Sequence, residues 1–165
     1  MNILHVIAMH ITDTYNGENW TGVNISNTLK DVSWQRAQQK TEGSQNTIAS
    51  LVHHLYYWNG IMMERIKGIN PSIPDTNGFD VNELKNENDW NELKEKAHQS
   101  FMQLASAVEN FPEEKLFEIS PTGKSSYYKN FQGIVEHAHY HLGQIVLLKK
   151  LVKVPVQQYA LSSSL

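Results

Sequence analysis

Hydrophobic positions recur every three or four residues along most of the chain, and polar stretches separate the segments that show this period. The period places apolar side chains on one face of a helix, whereas a strand would alternate every second residue. Four long segments share it, beginning near positions 3, 47, 89 and 126. The pattern predicts an all-α fold in which four long helices pack as a bundle and strands play no part.

The predicted helices are bounded by residues that favour helix ends: capping Ser, Thr, Asn or Asp before them and Gly or Pro after them. The predicted bounds are Ile3 to the residue before Asn16, a weaker stretch over 26–40 that covers one end of the bundle, Asn46 or Thr47 to Gly68, Asp89 to Phe111, and Ser125 or Ser126 to about Val154-Pro155. The third helix opens with a sequence that resembles a capping box, Asp89 to Glu92. Residues 69–88, rich in Pro, Asn, Asp and Gly, predict a long crossover between helices two and three.

The length of 165 residues suits a single domain, which we place at 1–155, followed by a flexible tail at 156–165. The formal net charge of −3 and the lack of a basic run argue against a nucleic-acid partner. Neither a membrane-spanning segment nor a secretion signal is recognisable, so we expect a cytoplasmic protein with no membrane partner. With no cysteine in the chain, there is no thiolate ligand, and imidazole groups must bind any metal.

The last predicted helix contains two histidines that could share one cation. His137 and His141 are four residues apart and therefore stand one turn apart on the same helix face. On a helical wheel they lie about 100° and about 60° from the centre of the apolar stripe, at the edge of the core. Neutral imidazole is a common ligand for zinc, nickel and ferrous iron, and a third ligand must come from another element.

The second predicted helix supplies that ligand from an adjacent pair of histidines. His54 lies roughly 100° from the centre of the inward stripe and His53 roughly 160° from it, so His54 is the better candidate and His53 should face solvent. A metal site and a set of ordinary core or surface histidines are both compatible with the pattern alone, and the doubled pair leaves open which of the two would bind.

Several other side chains could contact such a site. Gln144 could orient a ligating imidazole through a hydrogen bond, or serve only in helix packing. The candidates for a proton acceptor or a substrate contact, which are otherwise solvated helix residues, are Glu136, His10 and Asp13. The candidates for pocket walls, which are otherwise core aromatics, are Trp58, Tyr56, Tyr57 and Tyr140. The histidines to which we assign no role in the site are His5, His53, His98 and His139.

The segment His137-Ala-His139-Tyr-His141-Leu-Gly-Gln-Ile resembles the closing signature of the DinB-like superfamily, and His54-Leu55 resembles that family's upstream histidine. The order of elements along most of the chain is similar as well, including a Trp-Thr-Gly turn at 20–22. This resemblance implies a DinB-like four-helix bundle in which a divalent metal (Zn, Ni or Fe) is held by His54, His137 and His141. It also implies a homodimer, since relatives commonly pair.

Three neutral imidazoles leave the full charge on a divalent ion, which then activates a bound thiol or water. The residue pattern is compatible with both thiol transfer and hydrolysis and does not distinguish between them. The resemblance favours transfer, because characterised relatives include bacillithiol-dependent S-transferases and mycothiol-dependent isomerases. We therefore expect a metal-dependent S-transferase that takes a low-molecular-weight thiol and an electrophile. The alternatives are a metal-dependent hydrolase and a stress-linked metal or small-molecule binding protein without catalysis.

Overall fold

The computed structural model describes residues 2–152, and the predicted tail at 156–165 lies outside them. This part of the chain contains six α-helices and a short 3-10 helix, and its β-structure is limited to two isolated bridges. The α-helices are α1 (Ile3–Tyr15), α2 (Ile25–Leu29), α3 (Trp34–Ala37), α4 (Ile48–Ile66), α5 (Glu87–Glu109) and α6 (Tyr127–Leu151), and the 3-10 helix is Glu113–Lys115.

The four long helices form a bundle in which α1 and α4 each pack against both α5 and α6. Their apolar stripes meet in one core, whose largest fully buried side chains are those of Trp90, Phe101 and Phe131. The prediction of an all-α four-helix bundle is confirmed. None of the described helices combines the length and the apolar character that a bilayer crossing requires.

α4 and α5 lie side by side and run in the same direction. Asn59 in the middle of α4 donates a side-chain hydrogen bond of 3.0 Å to Ser100 in the middle of α5. About one turn earlier on both helices, Tyr56 and Lys96 line a common groove. Parallel neighbours require the chain to return along the bundle before the second helix begins, and residues 67–86 make this return. We call this segment the return segment.

The helical stretch expected over 26–40 is two short helices, α2 and α3, each with its own N-cap and separated by a turn. They pack across one end of the bundle. The indole Nε1 of Trp90 donates a hydrogen bond of 2.7 Å to the carbonyl oxygen of Val32, and Lys149 Nζ donates one of 2.8 Å to the carbonyl oxygen of Thr28. These contacts tie the short helices to the start of α5 and the end of α6.

The prediction of a capping box at Asp89 to Glu92, at the start of the third long helix, is wrong. The side-chain oxygen of Asn86 accepts hydrogen bonds from the backbone N–H groups of Asn88 and Asp89, at 2.8 and 3.1 Å, so the N-cap of α5 lies three residues before the expected Asp89. The carboxylate of Asp89 accepts instead from the backbone N–H of Lys85, at 2.7 Å. Asn86 caps the helix because its short side chain reaches the free N–H groups of the first turn, and the helix that begins there already includes Asp89.

The other long helices begin where the sequence predicts. Thr47 and Ser50 form a reciprocal capping box at the start of α4, and Ser126 caps α6. α4 ends two residues before Gly68, whose φ of +86° is a left-handed conformation that glycine adopts without steric cost. α6 ends at Leu151, slightly before the expected end.

Candidate metal centre

Three histidine side chains from two helices meet at one point between α4 and α6. The Nε2 atoms of His54 and His137 are 2.9 Å apart, and those of His137 and His141 are 3.0 Å apart. All three potential ligand atoms lie within 4.8 Å of one another. We call this group the histidine triad. The structure thus brings together the three residues that the sequence singles out.

Two of the three imidazoles are held by hydrogen bonds on the side away from the centre. The Nδ1–H of His54 donates to the carbonyl oxygen of Asn77 at 2.7 Å, and the Nδ1–H of His141 donates to Gln144 Oε1 at 2.7 Å. Because a proton sits on each Nδ1, both Nε2 atoms present unprotonated lone pairs to the centre. These bonds fix the tautomer and the ring orientation that a metal ligand needs.

The donor arrangement of the triad fits a cation at its centre. His137 faces two unprotonated Nε2 atoms and can donate a proton to only one of them at a time. Its own Nδ1 is buried and has no hydrogen-bond partner among the described residues. Converging lone pairs at 2.9–3.0 Å repel one another, and a shared positive ion removes that repulsion.

Burial keeps the triad imidazoles in the neutral form that binds metals. The pKa of His54 and that of His137 are lowered to about 4, mainly by desolvation and in smaller part by the neighbouring imidazoles, while the hydrogen bond to the Asn77 carbonyl opposes the shift at His54. Desolvation also lowers the pKa of His141, opposed by its hydrogen bond to Gln144. All three rings are therefore neutral at pH 7, so an ion can bind without net release of a proton from the triad.

The distances also suit a small divalent ion. Zinc binds imidazole nitrogen at about 2.0–2.1 Å, and neighbouring ligand nitrogens around a tetrahedral zinc are about 3.3–3.4 Å apart. The two separations of 2.9 and 3.0 Å are about 0.4 Å shorter than this value, a difference that a small rotation of the side chains accommodates. Three neutral nitrogen donors suit zinc, nickel and ferrous iron.

The return segment approaches the triad through an Asn-Gly turn. Asn77 and Gly78 both have positive φ, +51° and +76°, and a Cβ atom on Gly78 would lie 2.5 Å from the ring of Tyr57. Only glycine permits this close approach. The two carbonyl oxygens of the turn accept from the Nδ1–H groups of His54 and His53, at 2.7 and 2.8 Å respectively. The turn thus separates the two adjacent histidines: His54 joins the triad, and His53 is held away from it. The expectation that His53 faces solvent is wrong, because its ring is half-buried against the Gly78 carbonyl.

Aromatic side chains hold the triad rings in place. Phe79 of the return segment stacks on His54 with ring centroids 3.9 Å apart and planes 10° apart, and Trp58 presents its edge to His137 at 5.9 Å. Neither contact of the return segment, the Asn77 carbonyl or the Phe79 ring, was expected from the sequence. The segment has no periodicity, so its sequence gives no signal of which side chain turns inward.

A cavity of about 420 Å³ adjoins the triad between α4 and α6. Its walls are His54, Trp58, Met62, Arg65, Asn77, Phe79, Ser125, Lys129, Asn130, Gly133, Ile134, His137 and His141. Of the four aromatics considered for pocket walls, Trp58 lines the cavity. Tyr57 packs against the return segment, while Tyr56 and Tyr140 are exposed on the surface.

The remaining candidates lie outside the triad and the cavity. The ring of His139 bonds the carbonyl oxygen of Val135 at 3.0 Å on its own helix, His98 stacks on Tyr15, and His5 pairs with Glu109 at the surface. The side chains considered as proton acceptors, which the structure places outside the cavity lining, are Glu136, His10 and Asp13. The cavity therefore depends on other residues for polar contacts.

We predict that Gln144→Ala weakens metal binding about tenfold to 100-fold, because loss of the acceptor at 2.7 Å leaves the imidazole of His141 free to rotate or change tautomer. Competition with a chromogenic chelator measures the affinity. Gln132→Ala, on the same helix and outside the cavity lining, is the matched control. Equal affinities of the two variants would show that the hydrogen bond does not tune the site.

A family model described as the DinB superfamily matches residues 20–145, a span that includes α4, α5 and all three histidines of the triad. No curated protein and no solved structure shows a significant match to the chain. The matched span covers more than three quarters of the 165 residues. The chain therefore belongs to the DinB superfamily.

Proposed function

We propose that the protein is a metal-dependent thiol S-transferase, with a divalent ion held by His54, His137 and His141. The observation that carries the proposal is that the triad forms part of the cavity wall, so a small molecule in the cavity reaches the point where the three nitrogens converge. The substrates would be a low-molecular-weight thiol of the bacillithiol type and an electrophile. Membership of the DinB superfamily supports this assignment.

A divalent ion in a site of three neutral imidazoles keeps its full charge and lowers the pKa of a thiol that binds to it. In the proposed reaction the thiolate sulfur forms a bond to the electrophilic carbon, and the leaving group departs with the bonding electron pair. The thiol proton passes to solvent, since no carboxylate lines the cavity within residues 2–152. The cavity residues position the two substrates and limit the access of water.

The number of ligands supports a catalytic site over a purely structural one. Among the described residues the group that could hold an ion has three members, and its open side borders the cavity. Structural zinc sites are closed by four protein ligands, whereas catalytic sites keep a position for water or substrate. The triad has the second arrangement.

The apolar part of the cavity suits the electrophile. Trp58, Phe79 and Ile134 line it close to the triad, and Met62 adds a flexible thioether side chain. Binding sites for small molecules are mostly apolar with a few placed polar groups, and this wall fulfils the first condition. An electrophile with an aromatic or aliphatic body would bury that body here while its reactive carbon faces the triad.

The proposal is tested on full-length protein purified without a histidine tag and loaded in turn with zinc, nickel or ferrous iron. The loaded protein is assayed with several thiols against a chloroaromatic acceptor and, separately, against esters and amides. We expect thiol consumption that disappears on chelation and returns when metal is added. Metal-dependent hydrolysis without thiol transfer would establish the hydrolase alternative, and stoichiometric metal with neither activity would establish a binding protein. Homodimerisation and cytoplasmic location stay predictions.

A further inference from the structure

The charged side chains of the cavity are both cationic. Arg65 and Lys129 line it, and its other walls within the described part of the chain are neutral or belong to the triad. The chain as a whole has a formal net charge of −3, so the positive charge of the cavity is opposite in sign to the net charge of the protein. A water-poor cleft lined by one sign of charge attracts ligands of the opposite sign.

Arg65 is held in position without an anionic partner. Its guanidinium lies over the ring of Trp58, with the central carbon 5.5 Å from the ring centroid. Its Nε is buried and makes no hydrogen bond to any described residue. None of the ion pairs formed within residues 2–152 includes it. A partly buried guanidinium whose N–H groups have no anionic partner is well suited to bind a carboxylate or phosphate group.

Lys129 stands across the cavity, on the first turn of α6. Its nearest carboxylate is that of Glu136, at 3.9 Å, and both side chains are about two-thirds exposed. An exposed ion pair of this length contributes little, roughly 0 to 1 kcal/mol, so Lys129 can turn to an anion in the cavity at small cost.

Unsatisfied polar atoms are concentrated at the same place. Six buried side-chain atoms of the described residues lack a hydrogen-bond partner, and four of them belong to cavity walls. These four are Arg65 Nε, Trp58 Nε1, Asn77 Oδ1 and His137 Nδ1. Buried polar groups are normally paired, and each unpaired one costs about 1–3 kcal/mol unless water or a ligand satisfies it. Their clustering shows that, among the described residues, polar side-chain atoms are least satisfied in the walls of this cavity.

A second depression continues the cavity away from the triad. It shares Arg65, Ser125 and Asn130 with the first and adds Lys124 at its far end, again without a carboxylate among its described walls. The positive surface thus extends from the triad past Arg65 to Lys124. A ligand longer than a simple thiol would follow this path.

We propose that the cavity selects an anionic thiol, whose carboxylate or phosphate group binds Arg65 and Lys129 while its sulfur lies at the triad. The inference rests on the proposed transferase function for the role of the sulfur. The anion site itself follows from the cavity charges and from the unpartnered Arg65. Arg65 is thereby a specificity-determining residue, because a neutral thiol leaves its guanidinium unpaired.

The test compares mercaptosuccinate with the neutral monothioglycerol by calorimetry on the full-length, zinc-loaded protein. We expect Arg65→Gln to weaken mercaptosuccinate binding by about tenfold or more, as loss of a charge-assisted contact of about 1.4 kcal/mol implies. Binding of monothioglycerol should change less than about twofold. Lys67→Gln is the matched control, since Lys67 carries the same charge at the same end of α4 but pairs with Glu64 outside the cavity.

Succinate and inorganic phosphate are then tested as competitors of mercaptosuccinate on the parent protein. The stronger competitor indicates whether Arg65 binds a carboxylate or a phosphate group. If neither competes in an Arg65-dependent way, or if Arg65→Gln and Lys67→Gln behave alike, the inference is wrong. Circular dichroism checks that Arg65→Gln is folded. Should it not be, Lys129→Gln, an exposed substitution, must show the same selective loss or the proposal fails.

The two proposals fail separately. Thiol transfer that shows no preference for anionic thiols would overturn the anion site and leave the transferase standing. Succinate binding that depends on Arg65, without transfer to any electrophile, would support the anion site and overturn the transferase. Because calorimetry measures the binding of mercaptosuccinate and its displacement by sulfur-free anions, its result does not depend on turnover.

Discussion

Replacing any one of His54, His137 and His141 by alanine is expected to abolish stoichiometric metal binding. Zinc sites in small proteins contribute about 10 kcal/mol or more, shared among three or four ligands, so loss of one ligand lowers the affinity by about 100-fold or more. Thiol transfer should fall to the rate without metal. Elemental analysis after dialysis and chelator competition measure the binding.

The chain offers a matched control for each helix of the triad. His139→Ala removes a histidine that lies between His137 and His141 in sequence but bonds the backbone of its own helix. His53→Ala removes the neighbour of His54, whose ring bonds the Gly78 carbonyl. Both controls should keep one equivalent of metal. A triad variant that retained one equivalent with the parent's affinity would show that the ion, if bound, is held elsewhere.

Gly133→Leu is expected to block the cavity while leaving the metal in place. Gly133 lies on α6 one turn before His137, and a Cβ atom built there meets no atom within 4 Å. A leucine side chain would therefore extend into the space that the substrates need. Displacement of a reacting group by about 1 Å can cost about 100-fold in rate, and we expect a loss of transfer at least that large.

The same substitution should not destabilise the fold. Glycine within a helix costs roughly 0.5–1 kcal/mol relative to alanine, and leucine is a good helix former, so the melting temperature should stay or rise. Gly143→Leu is the control: it lies on the same helix, also has open space around it, and faces away from the cavity. Unchanged kcat and KM in Gly133→Leu, with metal retained, would place the reaction outside the cavity.

Periodicity and spacing predicted the long helices, and together with the resemblance to the DinB-like superfamily they predicted that His54, His137 and His141 meet. A histidine pair four residues apart shares a helix face whatever the rest of the fold does, and the wheel position of His54 separates it from His53. The stripe of apolar residues in each long helix then fixes which faces meet. The helix-face positions of these residues are local properties. Packing does not change them, because the bundle buries the same apolar stripes from which they were read.

The parts that the sequence did not predict depend on contacts between distant segments. Phe79 and the Asn77 carbonyl reach His54 from the return segment, which has no period to mark an inward side. Arg65 is predicted as an ordinary polar residue of α4, and its place in the cavity wall becomes visible only when α6 forms the opposite wall. Asn86 caps α5 ahead of the expected Asp89 because two competing caps stand close together and local preference does not rank them.

Because α4 and α5 run parallel, the return segment passes beside the triad, and the site is built from helices and from this segment. The helices supply the imidazoles, while the return segment supplies one wall through Phe79 and orients His54 through a main-chain oxygen. A carbonyl group is common to every amino acid, so side chains of that segment can be exchanged while the imidazole keeps its support, provided the tight Asn77-Gly78 turn remains. Substrate range in such a scaffold can diversify within twenty residues, at little risk to the ion or to the core.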